Sequence, residues 1–161
     1  GLILFSGLSI VMVSAMAIND PQAVMDLVSV KLTNTDAYSS IRGVYGGVGL
    51  TIFATLLYLA LKDYQKGLVF TSLLWGSYAL SRVLTIGMEG SLGAFGNQWL
   101  VIESVLCSLS LLLLMATMRQ NAKRTPTAKI FVKNISNPFT QTKESTQIKK
   151  PAAIATGFFN L

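Results

Sequence analysis

The stretch SSIRGVYGGVGLTIFATLLYLAL, residues 39–61, decides the fold. It opens on Arg42, places glycine at four of the seven positions from Gly43 to Gly49, and then runs almost wholly apolar. A helix of about 20 apolar residues crosses a ~30 Å hydrocarbon core. In lipid only helices and closed barrels satisfy every backbone N–H and C=O. With no period-two alternation, the stretch reads as a transmembrane helix and not as a barrel strand.

Three further apolar segments flank it, so the full set is Leu2–Ile18, Ile41–Leu61, Leu68–Ile86 and Leu100–Met118. The expected fold class is all-α: a four-transmembrane-helix bundle over residues 1–118, followed by a largely irregular basic tail over 119–161. Ala15-Met16-Ala17 resembles the small-x-small end of a signal peptide, but no basic region precedes the apolar run, so Leu2–Ile18 is expected as a retained span. Between the first two spans, Val24, Leu27 and Val28 fall at helical spacing, which predicts a short amphipathic helix at the membrane surface. The second connection, KDYQKG, is short. The third, GMEGSLGAFGNQW, carries four glycines from Gly87 to Gly96 and predicts a turn-rich loop.

Composition agrees with lipid as the main solvent: 12% of the 161 residues are charged, against about 25% in an average soluble domain. The net charge of +6 is unevenly spread. Residues 119–161 hold eight Lys or Arg and one acid, while residues 1–118 hold five bases and six acids. The basicity belongs to a tail beside a membrane, and no nucleic-acid partner is needed to explain it. By the positive-inside bias, the Lys62/Lys66 connection and the tail share the inner face. The expected location is therefore a bacterial inner membrane or an organelle membrane, crossed several times, with both chain ends on the cytoplasmic, stromal or matrix side. Alone, the Pro-, Ser- and Thr-containing tail buries too little apolar surface to fold. Arg119, Lys123 and Arg124 at its start and Phe158 and Phe159 near its end are its candidate docking residues.

With alternating spans, Arg42, Arg82 and Glu103 fall in one outer layer. Intramembrane charges turn inward and pair, so Arg82 is expected to fork onto Glu103, with Arg42 as a second cation and Tyr45 on the same stripe. Thr71, Trp75, Tyr78, Arg82 and Thr85 follow helical rhythm on span three, and Glu103, Cys107 and Ser110 do so on span four. Gly43, Gly46, Gly47 and Gly49 are expected to admit a neighbouring helix, with Gly43 and Gly47 forming a G-x-x-x-G. Two roles remain open for the charged layer: an ion network that fixes helix register, or a pocket whose spare positive charge receives an anionic headgroup, a carboxylate or another polar ligand.

The chain has no histidine and a single cysteine, Cys107. No His-ligated haem or metal site is expected, and no nucleophile elbow, phosphate loop or C-x-x-C is present. A lipid, or a pigment bound without His, is compatible with the residues, and any further cofactor is unknown.

IRGVYGGVGL, ALSRVLTIGMEG and WLVIESVL together resemble a group of bacterial four-helix membrane proteins classed as a domain of unknown function, over approximately residues 1–118. The resemblance rests on R-x-x-Y-G-G at Arg42–Gly47, on Arg82 with Glu89-Gly90, and on Glu103. It implies the fold and topology and supplies no activity, while the long basic tail departs from that group and suggests an added docking role. The expected function is therefore a non-enzymatic accessory or assembly subunit of a larger membrane complex, energy-transducing (photosynthetic or respiratory) or transporting, with other membrane-protein subunits and membrane lipids as partners. The alternative is a protein that binds a lipid or small apolar ligand at the Arg/Glu layer.

Overall fold

A computed structural model describes residues 1–124, of which residues 1–120 form one packed unit. The elements are α1 (Leu2–Asn19), α2 (Pro21–Asp26), α3 (Thr35–Ile41), a π-helical turn (Arg42–Gly47) leading into α4 (Val48–Lys62), α5 (Tyr64–Glu89) and α6 (Ala94–Arg124). Among the described residues there is no strand. Four stretches are long and apolar enough to cross a membrane: Leu2–Asn19, Thr35–Lys62, Tyr64–Glu89 and Ala94–Asn121. Over the described residues the chain is an all-helical membrane protein built on four such helices.

The helix ends follow from a few capping side chains. Asp20 closes α1 and opens α2, its Oδ1 accepting from the N–H groups of Gln22 (3.0 Å) and Ala23 (3.3 Å), with Pro21 at the first helical position. Asn34 caps α3 through the Ala37 N–H at 2.8 Å. Asp63 alone separates α4 from α5, where the sequence predicts a longer connection. Its backbone leaves the helical region at φ −150°, ψ 86°, and its carboxylate accepts from the Lys66 N–H at 3.1 Å and meets the Lys66 ammonium at 3.0 Å. That backbone N–H holds the Asp63 carboxyl below its ordinary value of 3.8. The predicted third loop also shrinks. Gly87 lies inside α5 and Gly96 inside α6, so only residues 90–93 are non-helical, and Gly90 makes the turn at φ +104°. An interior glycine costs a helix about 1 kcal/mol relative to alanine. That is small beside leaving backbone groups unpaired in lipid.

Helices α1 and α4 meet antiparallel along a seam of small residues. A Cβ on Gly46 would come 2.7 Å from Ile18 Cγ1, and one on Gly49 would collide with Ser14 Oγ. Further along, Gly7 faces Phe53, and Ile3, Leu56 and Leu68 form a buried cluster near the Asp63 end. Ser14 returns its hydroxyl proton to the Ile10 carbonyl at 2.9 Å, so its burial leaves no orphan donor. Gly43 and Gly47 face open space. The expectation that this G-x-x-x-G packs a neighbouring helix is thus corrected within the chain: Gly46 and Gly49 make the contact instead. The π turn is the physical reason, because it widens one turn and rotates the residues after it away from the 3.6-residue wheel.

At the opposite end Ala17, Val24 and Met25 form a second buried cluster. Helix α2 is thereby packed on the bundle instead of merely resting on a membrane surface. Gln22 fixes the path of the chain beyond α2: its Nε2 donates to Asp26 Oδ1 (2.6 Å) and the Val30 carbonyl (2.9 Å), and its Oε1 accepts from the Leu32 N–H (2.9 Å). Elsewhere large apolar side chains point outward, among them Phe5, Leu8 and Met12 on α1, Leu73 and Leu80 on α5, and Val101 and Leu112 on α6. In water such a surface would aggregate; against acyl chains it is the favourable one.

Candidate functional site

The charge pair predicted across α5 and α6 forms. Arg82 Nε donates to Glu103 Oε2 at 2.7 Å and Arg82 Nη2 to Glu103 Oε1 at 2.9 Å, a two-pronged contact. Glu103 is 2% exposed, while the Arg82 side chain keeps 22% of its surface. Because α5 and α6 extend past the apolar boundaries, both stand well inside their helices. Arg82 is seven residues from the end of α5, or about 10 Å along the axis, and Glu103 nine residues into α6, or about 13 Å.

Arg42 does not join them. It is exposed, and its Nε donates to the Ile18 carbonyl at 3.1 Å. That carbonyl is among the last four of α1, which have no partner within the helix, and a cation at a helix C-terminus is also favoured by the macrodipole. The expected second cation of the layer is therefore corrected to a cap on α1. Arg42 and Gly46 both engage Ile18, which accounts for an arginine followed by a cluster of glycines.

Beside the pair lies a cavity of about 340 Å³, at the low end of the ~300–1,000 Å³ typical of small-molecule sites. Arg82 and Glu103 are the charged residues of its wall. Five aromatic side chains line it: Tyr45 from the π turn, Trp75 and Tyr78 from α5, Phe95 and Trp99 from α6. Trp75 and Tyr78 pair with ring centroids 6.1 Å apart, as do Phe95 and Trp99, within the range favoured by aromatic pairs. Ile10 and Val13 of α1, and Val24 and Met25 of α2, complete an apolar side. The buried Trp75 Nε1–H donates to Ser6 Oγ at 2.9 Å and ties α5 to α1.

A shallower groove of about 480 Å³ runs along α5, lined by Phe70, Leu73, Leu74 and Ser77, and it shares Tyr78 and Ser81 with the cavity. Below the pair, Cys107 Sγ donates to the Ser72 carbonyl at 3.5 Å and packs near Gly76. Thr71 and Ser110 are buried and bonded to their own helices, so the polar stripes continue as helix contacts. Thr85 is exposed and lies outside them.

Of the anticipated residues, the structure thus brings Tyr45, Arg82 and Glu103 to one cavity and assigns Arg42, Gly46 and Gly49 to the α1 seam. Arg119 and Lys123 are exposed. The Arg124 side chain and residues 125–161 of the tail, Phe158 and Phe159 among them, lie outside the described residues. Ser6, Phe95 and the contribution of α2 are not anticipated by the sequence reading. Ser6 has a usable signal, since a buried tryptophan N–H needs an acceptor. Phe95 falls in the glycine-rich segment that reads as a loop. No group of three or more metal-ligating side chains converges among the described residues.

A family model described as a domain of unknown function, DUF4345, matches residues 1–114. No curated protein and no solved structure matches the chain.

Proposed function

The chain belongs to this DUF4345 family, and from that premise we propose that it is a non-enzymatic integral membrane protein that binds a small amphipathic ligand beside the Arg82–Glu103 pair. The observation that carries the reading is the combination of open volume, a five-member aromatic wall and one forked ion pair at a single end of the bundle. A register-fixing ion pair needs no adjoining cavity, and helices packed for stability alone close such volumes. Positive-inside bias supports an orientation with Asp63 and the C-terminal side of α6 inward. The cavity then opens toward the outer leaflet. The test is native mass spectrometry of the protein extracted from its own membrane in mild detergent. An added mass is expected on the wild type and is lost in Ser81→Phe, which fills the cavity from its rim. The same mass on both would place the bound molecule elsewhere.

A second reading, an accessory subunit of a larger membrane complex, draws on the basic run that begins at Arg119 and gives residues 119–161 eight of the thirteen Lys and Arg. The two readings are compatible, because docking would use the inner face and the ligand the other end. Migration inside a large assembly on a native gel, lost when residues 125–161 are deleted, is the expected result. Unchanged migration after the deletion would remove the tail from that role.

A further inference from the structure

We infer that the cavity's occupant is a neutral, lipid-soluble molecule with a hydrogen-bond-accepting carbonyl head and a single apolar chain, of the fatty-acyl ester kind. The inference rests on the ligand-binding reading above and adds the chemistry of the ligand.

Charge is the first argument. The cavity wall carries one cation and one anion, and each oxygen of Glu103 already accepts from Arg82. Arg42, the cation that would have left a positive surplus, is bonded to Ile18 and is not part of the wall. An anionic head would therefore enter a site with no uncompensated positive charge and a carboxylate close by. Like-charge juxtaposition at a buried interface costs several-fold to many-fold in affinity. A cationic head would find the carboxylate already forked.

Donor inventory is the second. Arg82 has five N–H donors and the fork uses Nε and one from Nη2, which leaves three. Among the described residues, no hydrogen bond engages the Tyr45 or Tyr78 hydroxyl or the Trp99 ring N–H, and none of these groups is buried without a partner. The wall thus holds unused N–H and O–H donors, and a carbonyl oxygen is their complement.

The third is continuity. Tyr78 and Ser81 border both the cavity and the groove on α5, and that groove runs back to Phe70 past Leu73 and Leu74. Eleven residues of helix span about 16 Å. A head held near Arg82 places its chain along this lipid-facing track without leaving the protein surface.

The test uses the protein's own reporters. Trp75 and Trp99 are its two tryptophans, and both line the cavity. The intact chain in nonionic detergent is titrated with methyl dibromostearate and, separately, with dibromostearate at about pH 9, where a carboxyl is ionised. The two probes share the quenching bromines and the chain and differ in the head. Saturable quenching by the ester is expected, with the carboxylate at least about tenfold weaker and the ester weakened severalfold in Tyr45→Phe/Tyr78→Phe. Equal or tighter binding of the carboxylate would overturn the neutral-head inference and leave the ligand-binding reading standing. Absence of saturable quenching by either probe would overturn both.

Discussion

Along α1 and α4 the helices meet through glycine and serine, with Gly49 against Ser14 and Gly46 against Ile18. Where the end of α5 faces the start of α6 they meet through a charged fork and leave about 340 Å³ open beside it. Both regions contain polar atoms in an apolar setting, but they satisfy them differently. In the seam each buried polar side chain bonds its own helix or a neighbour, as Ser14 and Ser6 do. At the fork three guanidinium N–H groups and two tyrosine hydroxyls remain for something else. The difference separates a region whose composition answers to packing from one whose composition exceeds what packing requires.

The largest expected effect breaks the fork. Glu103→Leu leaves the Arg82 charge partly buried without its partner, a change that costs about 3–5 kcal/mol when a buried pair is severed. It should lower the unfolding midpoint of the bundle in detergent accordingly. Arg82→Met/Glu103→Leu should recover most of that loss, because an apolar replacement of both partners is often neutral. A double variant as unstable as the single one would mean that the pair holds the fold by more than mutual compensation.

Gly49→Ala attacks the other region. The new Cβ meets Ser14 Oγ on a buried seam, and overpacking of this kind costs about 1–3 kcal/mol. Gly43→Ala, six residues earlier, meets nothing within 4 Å and should stay within about 0.5 kcal/mol of the wild type. Equal effects at the two positions would show that the whole glycine cluster is an interface, with a second chain covering Gly43 and Gly47.

That pair of variants also marks where the sequence stops being legible. The four spans and the Arg82–Glu103 pair can be read because length, low charge and isolated charges on facing helices leave few alternatives in lipid. The choice between Gly43/Gly47 and Gly46/Gly49 cannot, because a π turn carries no distinctive residue pattern and shifts every face beyond it. Arg42 misleads for a related reason: its partner is a backbone carbonyl of Ile18, which has no side-chain signature. The cavity depends on α2 folding back over α1, a tertiary contact of Val24 and Met25 that helical periodicity alone does not locate.

The smallest expected effect lies at the single-residue break between α4 and α5. The folded Asp63 carboxyl sits below 3.8, so its cap on α5 is fully present above that ordinary value and is lost as pH falls through the lower folded one. Hydrogen exchange at the Lys66 amide should lose protection only in that acid window. Loss of protection near neutral pH would contradict the cap.

The division of labour itself is tested most directly by one tryptophan-quenching titration with methyl dibromostearate on three proteins, run where all are folded: the wild type, Gly49→Ala and Tyr45→Phe/Tyr78→Phe. The wild type and Gly49→Ala should give the same binding constant, and the tyrosine variant a severalfold weaker one. A constant that weakens with Gly49→Ala and is untouched by the loss of both hydroxyls would contradict that division.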